Sequence, residues 1–137
     1  MSRPYDTVLR IRRRETDDYG IAIAGAREQL DQLGRAIASR GEEMKRQGHA
    51  SVADPLLSSH AYLSRLRRER SELVKIERHA DAALDALRDR AAQAFAAMRA
   101  TEESADEHEQ EVQRAVGRKE QSEADDLAGS RLVRNRR

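Results

Sequence analysis

A seven-residue repeat of apolar side chains constrains the fold of this chain more than any other feature of its sequence. Apolar residues recur at steps of three, four or seven in two long blocks. The first block is Ile23, Ala26, Leu30, Leu33, Ile37 and Met44, and the second is Leu63, Leu66, Leu73, Ala80, Leu84, Leu87, Ala91, Ala94, Met98, Ala105, Val112 and Ala115. This spacing places the apolar side chains on one narrow side of a helix, where another helix buries them. The repeat therefore predicts a coiled coil, a rod without a catalytic pocket.

The two prolines of the chain mark where its helices begin. Proline is tolerated in the first turn of a helix and excluded from its interior, so Pro4 predicts the start of the first helix. Gly48 predicts the end of that helix, and Asp54 before Pro55 predicts the N-cap of the second. The predicted organisation is a single hairpin with helix one at about 5–47, a turn at 48–55, helix two at about 56–128 and a frayed basic tail at 129–137.

The short turn predicts the fold class and the pairing of the helices. Helices joined by a short turn run antiparallel. The expected fold is all-α, a long two-helix antiparallel coiled-coil hairpin with the C-terminal helix overhanging. Counting back from the turn predicts that Met44 lies near Ser59 or Leu63 and that Tyr5 lies near Met98.

Helix one is predicted to depend on its partner, because four glycines lie in its interior and each costs roughly 1 kcal/mol relative to alanine. They are Gly20, Gly25, Gly34 and Gly41. Helix two has no glycine between residues 56 and 116 and is rich in strong helix formers. From Thr101 onward it is expected to extend past helix one, and this polar overhang is expected either to fray or to be covered by a partner.

The composition excludes several classes of protein. Charged residues make up 37% of the chain and aromatic residues 3%, which leaves enough apolar volume for a two-helix seam and too little for a layered core. The net charge of +1 does not favour nucleic acid or an anionic membrane. There is no cysteine, no secretory signal and no apolar run of the ~20 residues that span a bilayer. These features predict a soluble cytoplasmic protein.

No constellation of residues predicts catalysis, a cofactor or a metal. The four histidines have no i,i+4 spacing, so we interpret them as solvated surface residues. The glycines are isolated, which excludes a phosphate-binding loop. Neighbouring carboxylates such as Asp125 and Asp126 diverge on a helix and cannot share a substrate. The sequence therefore predicts that the protein is not an enzyme and needs no cofactor.

Two arginine clusters, one in each helix, allow three interpretations. The clusters are Arg10, Arg12, Arg13 and Arg14, and Arg65, Arg67, Arg68 and Arg70. The first interpretation is a solvated face with i,i+4 ion pairs. The predicted pairs are Arg14 with Asp18, Arg65 with Glu69, and Arg68 with Glu72. The alternatives are an acidic protein surface and nucleic acid, which is disfavoured because no aromatic residue is interleaved for stacking.

Arg40 and Arg70 fall on seam positions near the turn, where a buried charge is costly unless it is paired. One interpretation is that their stems lie along the seam and their charged groups reach water. The other is that the hairpin is loose there and open to a partner, with Tyr62 and Leu63 supplying apolar contact area.

The two ends of the sequence resemble those of a known family. The opening Tyr5-Asp6-Thr7-Val8-Leu9-Arg10-Ile11-Arg12 resembles the start of the flagellar type III export protein FliJ. The segment Arg118 to Ala128 resembles that family's closing signature, in which a basic-polar run precedes an acidic pair and a short apolar step. An arginine-rich tail follows, and the resemblance covers nearly the whole chain.

The resemblance implies a non-enzymatic stalk of the bacterial flagellar protein export apparatus, cytoplasmic and peripherally associated with the inner membrane through that apparatus. The implied partners are the hexameric export ATPase, the cytoplasmic linker of the export gate membrane protein and export chaperones, with no nucleic acid and no membrane span. The implied ATPase-binding residues are Tyr5, Val8, Leu9, Arg12, Asp125, Asp126 and Leu127. The implied export-gate-binding residues, toward the turn, are Ile37, Met44, Tyr62, Leu66 and Leu73.

Three alternatives stay open at this point. A generic structural coiled coil would self-associate through its uncovered seam into a four-helix bundle and form a dimer at low concentration. A helical hairpin that binds nucleic acid would lose affinity steeply with salt. The equivalent stalk of a virulence type III secretion system would share the fold and the mechanism.

Overall fold

The chain forms two helices and, over the residues described, no strand. The computed structural model describes residues 4–53 and 60–136, apart from the side chain of residue 51. The first helix, α1, spans Asp6–Ala53, and the second, α2, spans His60–Asn135. The two helices pack against each other and run antiparallel, which confirms the predicted all-α hairpin.

The contacts within the chain divide it into two units, each with a part of both helices. Unit one consists of Met1–Arg13 and Phe95–Arg137, and unit two consists of Arg14–Ala94. Unit one therefore holds the first turns of α1 beside the second half of α2. Unit two holds the remainder of α1 beside the first half of α2.

α1 begins two residues after the first described residue, and α2 ends one residue before the last one. Pro4 lies in a turn just before α1, and Asp6 places a negative charge in the first helical turn, where the helix dipole favours it. The predicted start of helix one is confirmed. The predicted end of helix two at 128 and the frayed tail are wrong, since α2 continues to Asn135. Arg134 in the last turn favours this continuation, because a cation near the final carbonyls stabilises a helix.

The predicted end of helix one at residue 47 is also wrong. α1 continues through Gly48 to Ala53. Gly48 would end the helix by adopting a left-handed conformation, but no glycine of the described residues has a positive φ. The turn therefore does not begin at 48. The predicted cap at Asp54 and Pro55 lies outside the described residues.

The seam of unit two is formed by the apolar stripes that the repeat predicts. Leu66, Leu84 and Ala94 are buried, with exposures of 4%, 3% and 6%. The other stripe residues from Ile23 to Ala91 are half-buried. Full burial of one leucine stabilises a fold by roughly 1.5–3 kcal/mol, so two buried leucines and their half-buried neighbours hold this thin seam together.

Two glycines of α1 lie where charged side chains of α2 pass over the seam. The nearest atom to a Cβ built on Gly41 is Nε of Arg70, at 4.0 Å, and the nearest to one built on Gly34 is Oε2 of Glu77, at 3.9 Å. Both distances are ordinary van der Waals contacts. Arg70 is exposed although it sits at a seam position, which confirms that its charged group reaches water.

In unit one the first turns of α1 pack beside α2 further along than predicted. The rings of Tyr5 and His108 have centroids 5.7 Å apart and are tilted by 57°. Nη2 of Arg13 lies 3.6 Å from Oε1 of Glu102. The prediction that Tyr5 lies near Met98 is therefore wrong by about three helical turns. Its cause is the misplaced turn, because every residue added to α1 before the turn moves its partner further along α2.

α2 extends beyond the start of α1, as predicted, but the overhang begins later. Thr101, Glu102 and Ala105 are half-buried, and Glu109 is the last half-buried residue of the helix. Residues 110–136 are all exposed. We call residues 110–135 the free segment; at 1.5 Å per residue it is about 39 Å long.

Candidate partner-binding surfaces

The first group of predicted ATPase-binding residues lies on the opening turns of α1 in unit one. Tyr5 and Leu9 are half-buried, and the Leu9 amide donates a hydrogen bond to the Tyr5 carbonyl at 2.9 Å. Val8 is 42% exposed. Arg12 is half-buried and already engaged in an interaction within the chain. Val8 is therefore the member of this group with the most apolar surface to offer a partner.

The second group of predicted ATPase-binding residues lies on the free segment. Asp125 Oδ1 accepts a hydrogen bond from Nε2 of Gln121 at 3.1 Å, and Leu127 is 62% exposed. Asp125 lies about 17 residues beyond His108, the residue beside Tyr5, which corresponds to about 25 Å along the helix. The structure therefore does not bring the two groups together. They form two separate levels of possible contact in unit one.

The free segment carries exposed apolar side chains on one side of α2. Before the free segment begins, this same side of α2 is half-buried in unit one. Val112, Val116 and Leu127 lie within about 60° of one another around the helix, on the side where Ala105 is half-buried. The exposed large apolar residues of this segment are Val112, Val116, Leu127, Leu132 and Val133, at 47%, 51%, 62%, 63% and 62% exposure. The repeat predicted Val112 but missed Val116, which its four-residue step from Val112 could have indicated. The seam of unit one thus runs on without a covering helix among the described residues.

The predicted gate-binding residues all lie in unit two, and they differ in accessibility. The half-buried members are Ile37, Met44, Tyr62 and Leu73. Leu66 is only 4% exposed, so its side chain packs in the seam and presents no surface while the helices stay paired. A direct contact with a partner is available to the other four residues, and their role stays a prediction.

Glu43 joins the two helices near the turn. Its Oε1 accepts hydrogen bonds from the Tyr62 hydroxyl at 3.2 Å and from Nε2 of Gln47 at 3.3 Å, and its Oε2 lies 2.7 Å from Nη2 of Arg46. The hydrogen bonds from Gln47 and Tyr62, with the charge of Arg46, hold the pKa of the Glu43 carboxyl below its usual value of 4.5. Sequence reasoning missed this cluster, although Tyr62 itself was singled out. Its hydroxyl is oriented toward α1, where Glu43 accepts its hydrogen bond.

Arg40 is paired across the seam. Its Nε donates a hydrogen bond to Oε2 of Glu69 at 2.9 Å, and Nε of Arg65 lies 3.6 Å from Oε1 of the same carboxylate. The Arg65 guanidinium also lies 5.1 Å from the ring centre of Tyr62, within cation–π range. The side chains of Arg40 and Glu69 are 40% and 41% exposed, so their pair contributes about 0–1 kcal/mol. The predicted pair of Arg65 with Glu69 is confirmed.

The other two predicted ion pairs do not form. Glu72 lies 3.3 Å from Nζ of Lys75, and Arg68 has no acidic partner among the described residues. Arg14 and Asp18 likewise form no ion pair in the part of the chain that the structure describes. The ion pairs of the arginine clusters therefore differ from the i,i+4 pattern, since Arg13 pairs with Glu102 of α2 and Arg65 pairs with Glu69.

The histidines and acidic residues form no metal site within residues 4–53 and 60–136. His49, His60, His79 and His108 are all exposed, as predicted. Across the same ranges, no helix is long and apolar enough to cross a membrane.

Comparisons of the chain with protein-family models, with curated proteins and with solved structures found no match. The fold itself defines an architectural class. It is an α-helical coiled-coil hairpin whose second helix has an uncovered, partly apolar end.

Proposed function

We propose that this protein is a non-enzymatic stalk of the bacterial flagellar type III export apparatus. In this role it binds the export ATPase ring and the export gate and aids the delivery of substrates and chaperones. The observation that carries the proposal is the free segment, an exposed stretch of α2 that contains the FliJ-like run from Arg118 to Ala128. The proposal rests on that resemblance together with the hairpin fold.

The free segment has the properties of a helix that is completed by a partner. In proteins, most of the stability of a helix comes from packing of an apolar side against a partner. Val112, Val116 and Leu127 supply such a side, and each is about half exposed or more. Ring subunits that close around the free segment would bury these three residues. The acidic pair, Asp125 and Asp126, would remain available to basic groups of the ring.

The mechanism that follows is allosteric. A ligand shifts a protein between states only by as much as it binds one state better than the other. A single asymmetric hairpin inside a six-membered ring offers different sides to different subunits. Contacts at two levels, beside Tyr5 and at Asp125, about 25 Å apart by helix length, would therefore bias neighbouring subunits differently and promote assembly and hydrolysis.

A truncation and a matched pair of point variants test this proposal. Removing residues 118–137 should leave the hairpin folded, because the last half-buried residue of α2 is Glu109, and should weaken binding to the export ATPase in a pull-down or by surface plasmon resonance. Leu127→Ser should weaken it as well. The control is Ile76→Ser in unit two, where the replaced side chain is 48% exposed and belongs to neither predicted set. Unchanged ATPase binding by the folded truncation would refute the assignment of the ends.

The uncovered apolar side also favours a second candidate function, a structural coiled coil that self-associates. Val112 and Val116 continue the seam of unit one, so two copies could cover each other there. This candidate predicts a dimer at low micromolar concentration by light scattering, which dissociates when both valines are replaced by serine. A stalk of a virulence secretion system would bind the export ATPase of that system, whereas a flagellar stalk would bind the flagellar export ATPase. A binding assay with both ATPases therefore distinguishes the two.

A further inference from the structure

A groove beside the seam of unit two is lined by cations of α2 and, among the described residues, by no acidic residue. Its volume is about 370 Å³, and its lining residues are Met44, Arg67, Arg70, Ser71, Val74, Lys75 and Arg78. The four cations occur at steps of three, five and three residues, so they lie on one side of the helix over about three turns. Met44 and Val74 provide the apolar part of the groove.

The cations of this groove are largely unneutralised within the chain. Arg67, Arg70 and Arg78 form no ion pair in the part of the chain that the structure describes. Lys75 is paired with Glu72 at 3.3 Å, but both side chains are about two-thirds exposed, so that pair is weak. Like charges along one side of a helix repel one another, and an acidic molecule in the groove would relieve that repulsion.

A second groove in the same unit shows that this charge is not a general property of the surface. It measures about 480 Å³ and is lined by Arg40, Arg65, Arg68, Glu69, Glu72 and Leu73. Arg40 and Arg65 both contact Glu69 there. The two grooves flank the seam, and among the described residues only the first is lined by cations and by no carboxylate.

We propose that the basic groove binds an acidic amphipathic helix of a partner protein. Carboxylates one helical turn apart on that helix would pair with Arg67, Arg70 and Arg78, whose guanidinium groups bind carboxylates in a bidentate manner. The apolar ridge of the same helix would pack on Met44 and Val74. Methionine suits this contact because its flexible, polarisable side chain adapts to different surfaces.

Nucleic acid fits this groove less well. No aromatic side chain lines it, so bases have no stacking platform. A phosphate backbone would use the arginines but would leave Met44 and Val74 unused, whereas an amphipathic helix uses both. The combination of cations with the apolar side chains of Met44 and Val74 therefore favours a protein partner.

Met44 belongs both to the basic groove and to the predicted gate-binding residues. For gate binding in the proposed function, the groove therefore indicates a partner helix that is acidic and amphipathic. This inference rests on the proposed function only for the identity of the partner. Its test uses no component of an export apparatus. A failure of ATPase binding and a failure of peptide binding are therefore separate results.

The test uses the full chain and a fluorescein-labelled peptide of about three heptads, with leucine at a and d and glutamate at e and g, whose charges disfavour self-association. Fluorescence anisotropy should show binding that Arg67→Glu with Arg78→Glu weakens by about tenfold or more. The control, Arg68→Glu with Arg90→Glu, makes the same change in net charge on exposed residues outside the groove and should alter the affinity by less than about twofold. Peptides with glutamine for glutamate, or with serine for leucine, should both bind more weakly.

Circular dichroism establishes that each variant is folded, and Arg67→Gln with Arg78→Gln replaces the charge-reversed pair if that pair does not fold. Equal losses in the groove variant and the control would overturn the proposal, because binding would then follow net charge alone. Unchanged affinity of the peptide that lacks leucine would also overturn it. A single-stranded oligonucleotide that binds as tightly as the peptide and displaces it would assign the groove to nucleic acid instead.

Discussion

Replacing Gly20 and Gly25 of α1 by alanine should stabilise unit two. Both glycines lie inside α1, and nothing lies within 4 Å of the Cβ that each substitution adds. No clash therefore offsets the gain in helix propensity, which is about 0.8–1.0 kcal/mol for each glycine replaced by alanine. The two sites share no contact, so their effects should add to about 2 kcal/mol.

This gain should appear in global unfolding because α1 has no stable helical state apart from α2. Its four interior glycines disfavour the isolated helix, and its apolar stripe is buried only in the seam. Alanine at these sites therefore stabilises the folded hairpin and not a residual helix in the unfolded chain. For a chain of this length, about 2 kcal/mol corresponds to a rise in Tm of about 5–10 °C.

Thermal and urea unfolding followed by far-ultraviolet circular dichroism measure this effect. Gly117→Ala is the matched control, since it also has nothing within 4 Å of the added Cβ but lies on the free segment, where α1 does not reach. It should raise the helical signal and leave the main transition within about 1 °C, because fraying there is local. An unchanged or lower Tm for the double variant, or an equal shift for Gly117→Ala, would refute the coupling of α1 to α2.

Three further experiments test the seam and its polar contacts. Leu84→Asp should abolish the cooperative thermal transition by placing a charge at a position that is 3% exposed, whereas Leu127→Asp, at 62% exposure, should leave it in place. Because the pKa of Glu43 is lower in the folded chain, its carboxylate stabilises the fold above pH 4.5, and this stability is lost as the pH falls through the pKa of the folded state. The urea midpoint of Glu43→Gln should therefore lie below that of the parent at neutral pH and converge with it in acid. A double-mutant cycle of Arg40→Ala and Glu69→Ala should give a coupling energy of at most about 1 kcal/mol, because both side chains are about 40% exposed; a value near zero in high salt would agree with an exposed ion pair.

The apolar repeat was sufficient to predict the seam because burial depends on periodicity, which is written in the sequence. Every stripe residue from Ile23 to Ala105 is buried or half-buried, and Val112 and Ala115 are exposed only because α1 does not reach them. The start of α1 was predictable for a similar reason, since Pro4 restricts its own backbone.

The ends of the helices and the cross-seam contacts were not predictable to the same degree. Gly48 permits a helix to end but does not require it, and α1 continues through it to Ala53. The position of the turn then sets the register, and an error of a few residues changes every partner across the seam. For this reason Tyr5 was placed beside Met98 in place of His108, and the Arg40–Glu69 pair was not foreseen. The Glu43–Tyr62 hydrogen bond lies one residue from the predicted pairing of Met44 with Leu63.

The central claim is that the protein acts as a stalk for an export ATPase, and hydrolysis by that ATPase tests it most directly. The purified export ATPase of the same organism is mixed with increasing amounts of this protein while ATP hydrolysis and ring assembly are followed. The account predicts stimulation or ring stabilisation when there is less of this protein than of the ATPase, and loss of the effect when residues 118–137 are removed. No effect on hydrolysis or assembly, together with a stable dimer by light scattering, would contradict it and favour the self-associating coiled coil.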